Sequence, residues 1–288
     1  MTMSMNVPFV KFVAVGNDWL VVGGRDLPRS LSRFARAILD RHAGVGADGL
    51  LVMLPPRNKK HAARVRFCNS DGSEAEMSGN GIRCAGAFLA EFSRGRQTFL
   101  LETPAGLKSL EKVKEEKGKW VFRVSMGAPA LEAAEIPFEA GDFIAPVKGY
   151  PLHTQQGVLR ATVTSMGNPH CSIFVDDFGD WETLGREIEW HPLFPNRTNV
   201  EFVKVNSRRE IKVRFWERGV GHTMSSGTGS CAAVVASVLN GLTERQVRVR
   251  TEAGALQVEW PENGEVLLTG PVERVAQGTY DCPLHFES

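Results

Sequence analysis

The sequence carries almost no net charge, with 34 Lys and Arg against 33 Asp and Glu, for a balance of +1. Without a basic surplus there is no electrostatic case for binding nucleic acid or an anionic membrane. No apolar stretch approaches the roughly 20 residues of a membrane span. The opening residues 1–6 are polar and the apolar run after them is broken by Lys11, so no signal peptide is visible. Cysteine is scarce: Cys68, Cys84, Cys171, Cys231 and Cys282 are odd in number and widely spread, and no two have zinc-finger spacing. Reduced thiols in a cytoplasm and no structural metal are expected. No lysine sits in a motif suited to a Schiff base, so pyridoxal phosphate is not implied. A chain of 288 residues, 42% hydrophobic and 23% charged, is an ordinary globular composition. It is long enough for two domains of roughly 130 to 150 residues.

What the sequence does contain is a repeated phrase. Ser78-Gly79-Asn80-Gly81 runs into Ile82-Arg83-Cys84-Ala85, and Ser226-Gly227-Thr228-Gly229 runs into Ser230-Cys231-Ala232-Ala233. The two serines stand 148 positions apart (226 − 78), and Thr103-Pro104-Ala105-Gly106 and Thr251-Glu252-Ala253-Gly254 keep that offset. Gly16-Asn17 and Gly167-Asn168 form a third pair, 151 apart. Three landmarks at nearly one offset read as two copies of one half-fold. The expected halves are 1–127, with the closing segment 273–288 a candidate to join it, and 128–272.

Local patterns fill in these halves. Residues 9–15 and 19–22 read as strands by β-branched and aromatic content. In 31–40, Leu31, Phe34, Ala35, Ile38 and Leu39 fall at helical spacing and predict one apolar face. Strands are expected at 50–54 and 65–68, a buried helix at 82–93, and a meander over 98–102, 106–112 and 119–124. The mixed-charge run 112–119 reads as a solvated hairpin tip. The second half repeats the order, with strands at 160–165, 171–175, 199–205 and 211–215 and a helical stretch near 181–187. A buried helix at 231–240 and a closing meander over 246–260 and 266–269 complete it. The expected fold class is α+β: two pseudo-symmetric domains, each a mixed, mostly antiparallel sheet round a central helix, with the site in the cleft between them.

The Gly-rich turns are the best candidates for chemistry. A helix amino end presents unpaired N–H groups and a partial positive charge, and glycine lets the backbone approach an anion closely. Two such ends aimed at one site could hold a carboxylate without a lysine or arginine.

The stretches 9–19 (FVKFVAVGNDW), 44–51 (GVGADGLL), 69–84 (NSDGSEAEMSGNGIRC), 165–175 (SMGNPHCSIFV), 199–202 (NVEF) and 216–233 (WERGVGHTMSSGTGSCAA) carry a resemblance. Through them the chain resembles diaminopimelate epimerase, of the family that includes proline racemase, over nearly its whole length. The resemblance implies cofactor-independent epimerisation of LL-diaminopimelate to the meso form, with a small diamino diacid as the only partner and a homodimer as a common assembly. It implies that the positions of Ser78 and Ser226 supply the base and acid, that His170 assists the first and Glu217 the second. It further implies that Asn69, Asn168, Asn199 and Arg218, with Glu217 nearby, bind the distal end of the substrate. Asn17 and Asn80 match substrate-contacting positions, and Gly79, Asn80, Gly227 and Thr228 would offer backbone N–H groups.

Two departures stand out. The family has cysteine where this chain has Ser78 and Ser226. A thiol starts near pKa ~8.5, whereas an alcohol lies nearer the ~15.7 of water. At about 1.4 kcal/mol per unit, an unassisted serine gives up several kcal/mol of basicity. Three accounts of the serines stay open: natural Ser–His and Ser–Glu relays, deliberate replacement of two cysteines, or a different reaction or pure binding on the same scaffold. The second departure is His222, where the family usually has Glu; replacement of the cysteines would not explain it, which favours natural divergence. His42, His61, His153, His191 and His285 have no motif partner and read as surface or core residues. Asp48 reads as ordering its loop. Cys84 and Cys231 lie inside the two helices and read as small core residues.

Overall fold

The computed structural model describes residues 4–25, 27–93, 95–132, 135–139, 141 and 145–283. The chain divides into two units, Met1–Val124 with Gly270–Ser288, and Ser125–Thr269. Each is an α+β unit in which a mixed sheet carries a buried helix. His285 lies outside the described residues.

In the first unit, β1 (Ser4–Ala14) pairs antiparallel with β2 (Asn17–Gly23), and β2 runs parallel to β3 (Gly49–Leu54). The parallel step needs a crossover, which α1 (Leu31–Leu39) supplies. Antiparallel β4 (Ala63–Asn69) follows, flanked by the two-residue β5 (Glu74–Ala75). Helix α2 (Gly79–Phe92) then leads to β6 (Thr98–Thr103), parallel to β4, and to the hairpin partners β7 (Gly106–Glu116) and β8 (Lys119–Gly127). The end of the chain's last strand pairs with β1 from Ser4↔Pro283 to Val13↔Glu273. That strand also pairs with β8, Arg274 N–H bonding Gly118 O at 2.9 Å, so the sheet closes on itself. A closed sheet leaves no unpaired edge.

Burial explains why these segments take these forms. Phe34, Ala35, Ile38 and Leu39 of α1 pack on Leu20, Val22, Leu50 and Val52. Helix α2 lies against β1, β2, β3 and β7. The parallel strands β2 and β3 are therefore covered on both faces and read as continuous apolar runs, whereas β8 alternates buried and half-buried positions. Helix α2 is buried from Gly79 through Ala87, too broad a face for a surface helix.

The second unit repeats these pairings apart from the closing one. An added strand, β9 (Tyr150–Thr154), flanks β10 (Gly157–Ser165), and β10 pairs antiparallel with β11 (Pro169–Phe174). Strand β11 runs parallel to β12 (Asn199–Ser207) through the crossover helix α3 (Trp181–Glu189). Then β13 (Glu210–Glu217) is antiparallel to β12, with the three-residue β14 (Gly221–Thr223) beside it. Helix α4 (Gly227–Leu239) leads to β15 (Gln246–Arg250), parallel to β13, then to β16 (Ala255–Glu259) and the start of β17 (Val266–Pro283). Trp181, Leu184 and Ile188 of α3 join Cys171, Ile173, Val200 and Phe202 in one core. Helix α4 contacts β10 through β13 together with β15 and β16.

The structure departs from the sequence reading at element ends. Both central helices begin at the first glycine of their turns, three and four residues before the apolar run. Strand β7 continues to Glu116, and Lys112, read as part of a solvated tip, is buried with an ion pair to Glu115. Strands β5, β9 and β14 carry too few residues to show a period. Among the described residues no helix is long and apolar enough to cross a membrane.

Close packing in the first unit is testable at Gly49, where an added Cβ would lie 2.3 Å from the ring of buried Trp19. Gly49→Ala is expected to lose about 1–3 kcal/mol in urea denaturation. Gly23→Ala, whose Cβ meets nothing within 4 Å, should stay within about 0.5 kcal/mol of the parent. Equal stability of the two variants would contradict the packing described.

Candidate active site

Ser78 is the N-cap of α2, in extended conformation (φ −136°, ψ 126°), and its Oγ accepts the Gly81 N–H at 3.1 Å. The first helical bond runs from Ile82 N–H to Ser78 O at 2.8 Å. A helix cannot bond its first N–H groups internally. With Gly81 held by the cap, those of Gly79 and Asn80 are left as the donors of this turn. Gly81 has no side chain because a Cβ would press within 3.1 Å of Trp19 and 3.2 Å of Ser78 Cβ. Arg83, fully buried one turn on, donates to Gly79 O and Asn80 Oδ1, both at 2.8 Å, and ties the turn down from within.

The start of α4 has the same geometry. Ser226 (φ −130°, ψ 130°) accepts the Gly229 N–H at 3.2 Å, and Ser230 N–H bonds Ser226 O at 3.0 Å. The donors left over are those of Gly227 and Thr228. Ser226 also lies beside the Glu217 carboxyl and weakly favours its charged form. Thr223 Oγ1 also donates to Glu217 Oε1, at 2.6 Å. Burial pushes the Glu217 carboxyl above its ordinary value, and those hydroxyls and the nearby His170 only partly oppose it. A carboxyl of raised pKa beside a serine hydroxyl is the arrangement a general base needs.

His170 on β11 is fully buried. Its Nδ1 lies 2.7 Å from Glu201 Oε1 and its Nε2 lies 2.9 Å from Asn168 Oδ1, so both ring nitrogens are engaged within the second unit. Glu201 did not stand out in the sequence, although a carboxyl between Val200 and Phe202 in a β-strand signals a buried charge that must be paired.

The asparagines form local networks. Asn17 Nδ2 donates to Asp48 Oδ2 at 2.9 Å and its Oδ1 accepts from Trp19 Nε1 at 2.5 Å. Asp48 and Asp18 are both bound by Arg41, at 2.7 Å each, so Asp48 does order its loop. Burial works against charge on Asp18, but Arg41 and Lys11 outweigh it and hold that carboxyl below the usual range. The turn before Asn17 is strained: Val15 lies at φ 52° and Gly16 at 76°, while Gly167, before Asn168, lies at 93°. Asn69 Nδ2 donates to Ser73 Oγ at 3.0 Å. Asn199 donates to Pro169 O at 2.8 Å and accepts the Arg218 N–H at 3.0 Å, joining two of the distal-end candidates. The Arg218 guanidinium reaches Asn196 O at 3.1 Å on the rim of an open cavity of about 650 Å³ that Trp190, His191 and Arg197 also line.

The second unit thus gathers Asn168, His170, Asn199, Glu217, Arg218 and the Ser226 turn, and the first gathers Asn17, the Ser78 turn and Asn69. Other residues fall outside this chemistry. Cys84 and Cys231 are fully buried, and burial pushes the Cys84 thiol up to about 12. His61 bonds Glu102 at 2.8 Å. His222 stands between two acids, 2.5 Å from Glu252 and 3.6 Å from Glu182, with its ring edge-on to Trp181.

The electrostatics of Glu217 generate a prediction. A carboxyl raised by burial stabilises the fold while protonated, below its unfolded value, and that contribution fades as pH rises through its folded value. Thr223→Val removes a bond to the charged form, so Glu217 should titrate at still higher pH. A ¹³C carboxyl NMR titration reads this directly; an unchanged or lowered midpoint would contradict the assigned bond.

Comparison with known proteins places these features in a family. The profile of the diaminopimelate epimerase family matches residues 9–132 and 162–275. Diaminopimelate epimerases from Halothermothrix orenii (44% identical, 95% of this chain and 98% of that one) and Pelotomaculum thermopropionicum (47%, 94% and 98%) are close relatives. The protein of that name from Moorella thermoacetica is 43% identical, over 96% of this chain and 99% of its own. Among solved structures, a hydroxyproline epimerase from Agrobacterium vitis superposes with TM-score 0.70 at 14% identity, covering 98% of this chain and 94% of that one. A methylitaconate-delta-isomerase superposes at 0.67 and 16%, covering 99% and 97%. The α+β fold of those isomerases is therefore shared. On the length and identity of these matches, the chain belongs to the diaminopimelate epimerase family.

Proposed function

We propose that the chain epimerises LL-diaminopimelate to the meso form without a cofactor, by two-base proton transfer. The observation that carries this reading is the doubled helix amino end, a serine cap and two leftover N–H donors in each half of a chain of this family. Ser78 and Ser226 remove and return the α-proton on opposite faces. The substrate α-carboxylate and the negative charge that develops on it are held by the N–H groups of Gly79, Asn80, Gly227 and Thr228. Glu217 draws the proton from Ser226. His170 serves Ser78, for which its Nε2 exchanges the bond to Asn168 for one to the serine. Asn69, Asn168, Asn199 and Arg218 hold the distal amino-acid end, Arg218 gripping its carboxylate, while Asn17 and Asn80 order the reacting end. The reaction serves lysine and peptidoglycan precursor synthesis, and the five cysteines, buried among the described residues, suit a reducing cytoplasm. The matched offsets and pairings support an origin by internal duplication.

One observation favours a second reading. Both proton-transfer groups are alcohols, which suffices more readily for a substrate with a more acidic proton, such as an unsaturated diacid. Incubation with LL-diaminopimelate in deuterated water, followed by NMR, separates the two. The first reading predicts α-deuterium and meso product, and a faster reaction in Ser78→Cys/Ser226→Cys. Turnover only in that double variant assigns the scaffold to epimerisation and the serines to its loss. No exchange in either, with exchange of an unsaturated diacid or a simple amino acid, would establish the second reading.

A further inference from the structure

We propose that Glu201 is a positioning residue that holds, together with His170, a buried pair carrying two protons and no net charge, and so sets the hydrogen-bonding face that Asn168 turns to the substrate. The catalytic part of this proposal rests on the role given to His170 above; the protonation part does not.

The geometry allows few arrangements. Glu201 and His170 are 1% and 0% exposed, and Oε1 lies 2.7 Å from Nδ1. At the other end of the ring Asn168 presents its carbonyl oxygen, which can only accept, so Nε2 carries a hydrogen. One further proton lies between Nδ1 and Oε1. Without it two lone pairs would face each other and an unpaired carboxylate would be buried, a large penalty. Shared between nitrogen and oxygen, that proton gives the pair two protons and zero net charge.

The surroundings are built to receive the carboxyl. Ser172 Oγ donates to Oε2 at 3.4 Å from β11. From α4, Gly229 makes room, since a Cβ there would lie 2.9 Å from Oε1. Glu201 thus rests against the first turn of α4, whose positive end favours any negative charge on the carboxyl, and connects His170 to the helix that Ser226 caps. The other titratable groups facing the pair are Glu217, from β13, and Cys171, beside it on β11. Neither supplies a positive charge, so the second proton is what balances the carboxyl.

The arrangement has two consequences. With Oδ1 held by Nε2–H, Asn168 offers only its NH₂ hydrogens, and therefore selects a carboxylate or carbonyl at that point of the ligand over an ammonium. And when His170 gives the Nε2 proton to Ser78 Oγ as Ser78 returns its own proton to the substrate, the remaining proton stays between Nδ1 and Glu201, and Nε2 becomes the acceptor for the reverse transfer.

Glu201→Gln keeps the shape and a hydrogen bond but removes the titrating proton. The experiment combines ¹⁵N spectra of the histidine rings with kinetics on the intact protein. In the parent, both nitrogens of His170 should show protonated or proton-sharing shifts; in Glu201→Gln one becomes an ordinary unprotonated nitrogen. With LL-diaminopimelate, the variant should lose on the order of 100-fold in kcat, with KM within about threefold and one limb of the pH profile displaced. Ser172→Ala, a milder change, should displace that limb in the same direction and provides the test if Glu201→Gln does not fold. A bare His170 nitrogen in the parent, or a Glu201→Gln enzyme with the parental pH profile, would overturn the proposal. If the parent turns over no diaminopimelate, the ring spectra still decide the protonation of the pair, and the reading of the function fails separately.

Discussion

A helix buried on nearly every side must still dispose of the N–H groups at its start, which the helix itself cannot bond. Both central helices of this chain meet that constraint in the same way. A serine oxygen takes the third N–H, glycine at that position clears space for the group packed beside it, and the first two N–H groups are left as donors. A stabilising cap, worth about 1 kcal/mol, therefore also leaves two donors that an anion could take. The surrounding sheets exist in this form because an apolar helix such as α4 needs cover on all faces, and the double covering of β2, β3, β11 and β12 follows from placing a second helix outside.

The same burial sets the chemistry. Glu217 and Glu201 are carboxyls taken out of water, and burial disfavours their charged forms. One is bonded to a threonine hydroxyl, the other to a histidine. Such acids keep their protons to higher pH than an exposed carboxyl does. An alcohol is a poor base by itself, and only an environment of this kind makes a serine in a cysteine's place chemically reasonable.

Much of the architecture was legible in the sequence because it rests on local patterns. The helical spacing from Leu31 to Leu39 and the runs at 50–54 and 199–205 mark their elements without reference to the rest of the chain. The 148-residue offset led to two halves with one strand order. Helix starts were missed because Gly79-Asn80-Gly81 and Gly227-Thr228-Gly229 look like loops until the serine cap is seen to organise them. Strand β17 runs well past residue 269, since Gly270 and Pro271 read as breakers while pairing across the sheet carries the strand through. Within the candidate site, the motif residues stood out by resemblance. Glu201 and Arg83 did not, because a lone charge within an apolar run announces burial but not its partner.

The central claim is that the two capped helix starts act as separate proton-transfer groups, one for each face of the α-carbon. Single variants Ser78→Ala and Ser226→Ala, each incubated with LL- and meso-diaminopimelate in deuterated water, test it most directly. Each should abolish inversion yet still wash deuterium into one isomer from the remaining side, and the favoured isomer should be opposite in the two variants. Loss of exchange from both isomers in one variant with no effect in the other would contradict the account.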